Sequence, residues 1–174
     1  MQISLGSETR IPAPLGEKFL QWSIIGALAA LGAVALVIAI RYWNLKLLLP
    51  ILFICFAEVT ILIAVVGAFT IDLGAFAGII AAIGVSVDAQ IVITDELLKK
   101  DGAPASKKLE RAFAIVVSTA TIAIIAMLPL LLFSGLPEVV GFATSTILGS
   151  LLGVLISRPA YAAFVENVVI EHTS

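Results

Sequence analysis

Five long apolar runs dominate this sequence and leave little choice of fold. They cover Phe19–Ile40, Leu47–Phe69, Ala75–Leu97, Ala112–Phe133 and Val139–Ser157. Each is close to the ~20 residues that a helix needs to cross ~30 Å of hydrocarbon. The runs are continuous rather than alternating, which selects bilayer helices over a β-barrel. Only 13% of the 174 residues are charged and 61% are hydrophobic, whereas soluble domains carry about 25% charged residues. So few charges cannot coat a soluble surface. The expectation is an all-α, polytopic membrane bundle of five transmembrane helices.

The same numbers exclude several classes of function. Such apolarity is incompatible with disorder. Ten basic residues face twelve acidic ones, so no nucleic-acid partner is expected. A single cysteine, Cys55, and a single histidine, His172, exclude a disulfide framework and a His-rich metal site. The chain has no Walker loop, HExxH, GxSxG or CxxC pair. No enzyme, cofactor or metal chemistry is therefore expected.

Basic residues set the expected topology. Arg41, Lys46, Lys99, Lys100, Lys107, Lys108, Arg111 and Arg158 fall on one side of the five runs, and Arg10 and Lys18 on the other. The positive-inside rule then puts the N-terminus outside and the C-terminus in the cytoplasm of a multi-pass plasma-membrane protein. The expected layout is an external segment over 1–18, a transmembrane domain over 19–160 with a cytoplasmic loop over 98–111, and a cytoplasmic tail over 161–174. Pro159 closes the last span in this reading. The N-out start, without a signal peptide, implies that something precedes residue 1.

Two acids lie deep inside apolar runs. Glu58 and Asp88 sit roughly 16 Å and roughly 14–15 Å from the basic face at ~1.5 Å per residue. An ionised carboxylate at a helix centre costs about 2.5–3.5 kcal/mol on insertion scales, so such residues usually line a cavity, meet a partner or carry a proton. On neighbouring helices the two would make a coupled pair sharing one proton. The bland alternative, a neutral hydrogen-bonded acid, weighs more for Glu58 than for Asp88. Asp95 lies two turns from Asp88 on the same face, beside Glu96, and extends a possible proton ladder to the cytoplasm; a solvated helix end is the plainer explanation of both. No basic residue lies within any of the five runs. A relay would therefore use acids and hydroxyls alone, or take its cation from another chain.

Small residues mark two helix-packing stripes. Ala77, Ala81 and Gly84 share the face of Asp88, and Gly141, Ser145, Gly149 and Gly153 form a small-xxx-small row. Both predict close helix approach and say little about chemistry. Pro129 predicts a kink in the fourth run.

The third run, from Ala77-Gly78 through Gly84-Val85-Ser86-Val87-Asp88-Ala89 to Glu96, resembles the fourth transmembrane helix of the SecD/SecF protein-export family, with its pattern AGxxxxxGxxVDAxxxxxE. Gly141-Phe142-Ala143 with Gly149, Pro14-Leu15-Gly16 with Phe19 and Gly26, and Arg41-Tyr42 support the likeness. Ile156-Ser157-Arg158-Pro159-Ala160-Tyr161 is closest to archaeal members. The resemblance implies half of a resistance-nodulation-division-type transmembrane domain, truncated to its last five helices, without the first helix and the external domain. It implies a SecF-like subunit, a SecY-type channel, a translocating polypeptide and membrane lipids as partners. It also implies that Asp88 is the protonated residue and that SecF supplies the basic and acidic groups answering it. Thr94 and Glu96 depart from the aromatic and basic residues of bacterial members. The competing readings are a proton-coupled exporter of lipids or small molecules, and a non-catalytic scaffold.

Overall fold

A computed structural model describes residues 13–42, 45–68 and 72–173. These are helical throughout apart from short connections. The helices are α1 (Ala13–Tyr42), α2 (Leu45–Gly67), α3 (Leu73–Leu98), α4 (Ala105–Phe133), α5 (Pro137–Leu152) and α6 (Arg158–Thr173), with a π-helical turn, Gly153–Ser157, between the last two. Five windows are long and apolar enough to cross a membrane: Ile24–Tyr42, Leu48–Gly67, Leu73–Leu98, Ala105–Phe133 and Pro137–Val165. The all-α, five-span architecture is therefore as expected. Most of the external segment assigned to 1–18 lies outside the described residues.

α3 is the hub and touches every other helix, most extensively α5. Half of its span is buried, against 6% of the α1 span and 11% of the α4 span. The sequence explains the difference. α3 and α5 are rich in Gly, Ala and Ser, so their backbones approach closely. A methyl added at Gly78 would stand 2.6 Å from the Phe142 carbonyl oxygen and 2.8 Å from Ser145 Cβ. One added at Gly149 would stand 2.5 Å from Ala82 Cβ. α1 and α4 instead expose Trp22, Leu36, Ile122 and Leu132, a surface suited to lipid.

The ends of α3 are tied down differently. At its start Asp72 caps the helix, with Oδ1 accepting from the Ala75 N–H at 2.6 Å. Such a cap satisfies one of the orphan donors of a first turn. At its end the buried Glu96 pairs with Lys99 and lies 3.8 Å from Arg111. The loop after α3 is shorter than the polar stretch suggests, because α4 already begins at Ala105.

The last span does not stop at Pro159. α6 begins at Arg158 and runs on to Thr173. Pro159 lies inside a helix that continues from α5 through the π turn, where it lacks an N–H to donate. The π turn absorbs the change of phase: the Arg158 N–H bonds to the Gly153 carbonyl five residues back.

Candidate functional site

The polar interior is built from three helix faces. On α2 the buried positions are Ile51, Cys55, Glu58, Val59, Leu62 and Val66, a helical stripe in which Glu58 replaces an apolar residue. On α3 the buried positions Ser86, Gln90 and Thr94 follow one another at i, i+4 and i+8. From the π turn and α6 come Ser157, Arg158 and Tyr161, all buried.

These faces form a hydrogen-bonded seam. Ser86 Oγ donates to Glu58 Oε2 at 2.6 Å, and Gln90 Nε2 donates to Ser86 Oγ at 3.3 Å. Ser157 is a further hydrogen-bonding neighbour of the Glu58 carboxyl. Further along, Thr94 Oγ1 donates to the Gln90 carbonyl at 2.8 Å and lies 2.6 Å from the Tyr161 hydroxyl. Thr94 has one hydroxyl proton, already spent on the carbonyl, so Tyr161 is the donor of that bond.

Arg158 corrects the sequence reading. It was placed on the basic flank, and no cation was expected inside a span. It lies instead within the Pro137–Val165 span and is 1% exposed, beside a Glu58 that is 4% exposed. A Cβ at Gly153 would be 3.3 Å from Arg158 Nη2 and 3.3 Å from Glu58 Oε1. Those two atoms are therefore no more than twice 3.3 Å apart. The guanidinium interacts electrostatically with Glu58 and, second, with Asp88. The Arg-Pro pair made residue 158 look like a helix end. The available signal was the apolar stretch after it, Ala160-Tyr161-Ala162-Ala163-Phe164-Val165, which continues the span.

Asp88 occupies the opposite side of α3. It is exposed, as are Ala77 and Gly84, with Ala81 half-buried. A methyl at Gly84 would meet nothing within 4 Å. The geometry follows from ~100° per residue: positions two either side of 86 and 90 point away from them. The hydrogen bonds of Glu58 go to Ser86 and Ser157; among the described residues none joins it to Asp88.

Asp95 is also committed. Its Oδ1 accepts from the Tyr42 hydroxyl at 2.7 Å and its Oδ2 from Arg41 Nη2 at 3.0 Å, a clasp between α1 and α3. Nearby, Asp101 accepts from the Ala103 N–H at 3.1 Å and from Arg111 at 2.8 Å. The Ala103 N–H first, then Arg111, hold its carboxyl below the usual carboxylate range. The packing residues divide: Ser145 and Gly149 sit in the α3–α5 contact, Gly141 meets Asp72, and Gly153 meets Arg158 and Glu58. Among the described residues no group of three or more His, Cys, Asp or Glu side chains is placed to hold a metal ion.

The family described as "Protein export membrane protein SecD/SecF, C-terminal" matches residues 2–166. The chain belongs to this SecD/SecF family. Among curated relatives, the protein-export membrane protein SecD of Methanocaldococcus jannaschii is 41% identical over 91% of this chain and 40% of its own length. That of Methanothermobacter thermautotrophicus is 38% identical over 96% of this chain and 44% of its own. That of Thermococcus gammatolerans is 39% identical over 97% of this chain and 34% of its own. The chain thus spans less than half the length of these relatives. No solved structure matches.

Proposed function

We propose that this chain is the membrane portion of a protein-export subunit that assists polypeptide translocation. In this reading it works beside a SecF-like subunit and a SecY-type channel and catalyses no covalent reaction. The observation that carries the reading is the SecD/SecF match across residues 2–166, with curated SecD relatives aligned along nine-tenths or more of the chain. The basic end, with Lys99, Lys100, Lys107, Lys108 and Arg111, faces the cytoplasm.

Proton coupling at Asp88 belongs to the same proposal. What supports it is placement: a carboxyl on an exposed strip of small residues, at the level of the bilayer centre. Ionised and facing lipid it would be costly. A partner helix laid on Ala77, Ala81 and Gly84 would cover it, and protonation would neutralise it. The test is Asp88→Asn in the full-length protein, in cells. Export is expected to fall while the subunit still accumulates in the membrane and still captures its SecF-like partner. Unchanged export would sink the proton reading. Failure to capture any SecF-like or SecY-like chain from wild-type membranes would sink the export reading.

A further inference from the structure

The buried pair on the inner side of α3 carries an inference of its own. Arginine stays charged in proteins, so a fully buried guanidinium needs an acid. The charged and titratable groups near Arg158 can be named helix by helix. α2 brings Glu58 and the thiol of Cys55, α3 brings Asp88 on its outer side, and α6 brings Tyr161. α4 has no ionisable side chain from Ala112 to Phe133, α1 has none from Gln21 to Ile40, and α5 has only Glu138 in its first turn.

Glu58 is the acid that is geometrically committed. Its Oε1 and Arg158 Nη2 both lie 3.3 Å from the point where a Cβ on Gly153 would stand, so the two groups flank the same glycine. Ser86 donates to the carboxyl at 2.6 Å, and Ser157 is a further hydrogen-bonding neighbour of it. Arg158 Nε and Nη1 have no hydrogen-bond partner among the described residues, and Glu58 is its first electrostatic counterpart, ahead of Asp88. A buried pair of this kind tolerates loss of both members far better than loss of one.

We infer that Glu58 and Arg158 form a standing internal ion pair in which Glu58 stays ionised and positions the guanidinium, so that proton exchange in this bundle falls to Asp88 alone. The half concerning Asp88 rests on the proposed function; the pair itself does not. One cation and two acids leave a single unbalanced charge, and one proton on Asp88 balances it.

Infrared difference spectroscopy of the full-length protein in its membrane complex tests this through the carbonyl band of protonated carboxyls. Across a pH titration the wild type is expected to show a band that Asp88→Asn removes and Glu58→Gln leaves in place. In Arg158→Gln a second band is expected, because Glu58, deprived of its cation, takes a proton. That band is expected to be missing from Arg158→Lys and from the Glu58→Gln/Arg158→Gln double variant. A wild-type band that survives Asp88→Asn and vanishes in Glu58→Gln overturns the inference, and so does an Arg158→Gln spectrum without a new band. Should Arg158→Gln fail to assemble, the double variant is expected to recover assembly; equal loss in both would also overturn the pair. If no band depends on Asp88, the protonation of Asp88 fails, and a new Glu58 band in Arg158→Gln still upholds the pair.

Discussion

The two faces of α3 carry the same kind of residue under opposite conditions. On the inner face, Ser86, Gln90 and Thr94 are buried and bonded, and the acid that Ser86 meets, Glu58, flanks the same glycine as a cation. On the outer face, Asp88 shares an open strip with Ala77 and Gly84. An acid with committed partners is a fixed part of the framework. Under the proposed function, the outer acid is the one that exchanges a proton or meets another chain. The comparison teaches that position along an apolar run alone does not assign a role: Glu58 is buried and Asp88 exposed, and rotation about the helix axis separates the inner from the outer face.

The largest expected effect comes from breaking the inner face. Arg158→Ala leaves Glu58 buried without a counter-charge and is expected to cost about 3–5 kcal/mol of stability. Unfolding of the purified protein in denaturing detergent measures it. Replacing both members by Leu and Met is expected to cost less than the single change. If the single change costs under about 1 kcal/mol, the contrast between the faces collapses.

Next comes a matched pair of glycines. Gly78→Ala drives a methyl toward the Phe142 carbonyl, and overpacking of this kind costs about 1–3 kcal/mol. Gly84→Ala on the outer face meets open space and is expected to leave the stability of the isolated chain unchanged. Capture of a partner subunit is expected to weaken instead. Equal destabilisation by the two would show that both strips pack within the chain.

A smaller effect is expected from Tyr161→Phe. It removes the donor to Thr94, and a hydrogen bond of this kind contributes about 0.5–1.5 kcal/mol. Thr94 keeps its own bond to the Gln90 carbonyl. The seam should therefore weaken without opening, which unfolding measurements on the variant would record.

The smallest effect lies outside both faces. The Asp101 carboxyl is held below its usual range by the Ala103 N–H and by Arg111. A depressed carboxylate contributes stability that is complete above its unfolded value, ~3.9, and is lost as pH falls through its lower folded value. Asp101→Asn is expected to remove only this acid-side dependence of the 99–104 loop. Hydrogen exchange of the Ala103 amide at acid and neutral pH would show it; an unaltered profile would remove Asp101 from the loop's support.

Much of this was legible in the sequence. Length and hydropathy are local properties, so the five spans could be counted without a structure. The VDA segment with its glycine spacing pointed to the family. The small residues of α5 marked a close contact. Three features were less accessible. Arg158 reads as a flank because Pro159 follows it, although the helix runs on through a π turn beside it. Asp95 reads most plainly as a solvated helix end, yet Tyr42 and Arg41 hold it from α1. Glu58 and Asp88 look like partners because depth can be reckoned from residue number, whereas orientation cannot.

By itself the sequence determined that this chain is a helical membrane bundle of the SecD/SecF family with an aspartate inside one of its apolar runs. Those conclusions depend on residue type and spacing along one helix at a time. Only the tertiary structure decided which charges meet. That choice depends on how α2, α3 and α6 are rotated against one another and on a π turn that carries Arg158 inward, and no single helix contains that information.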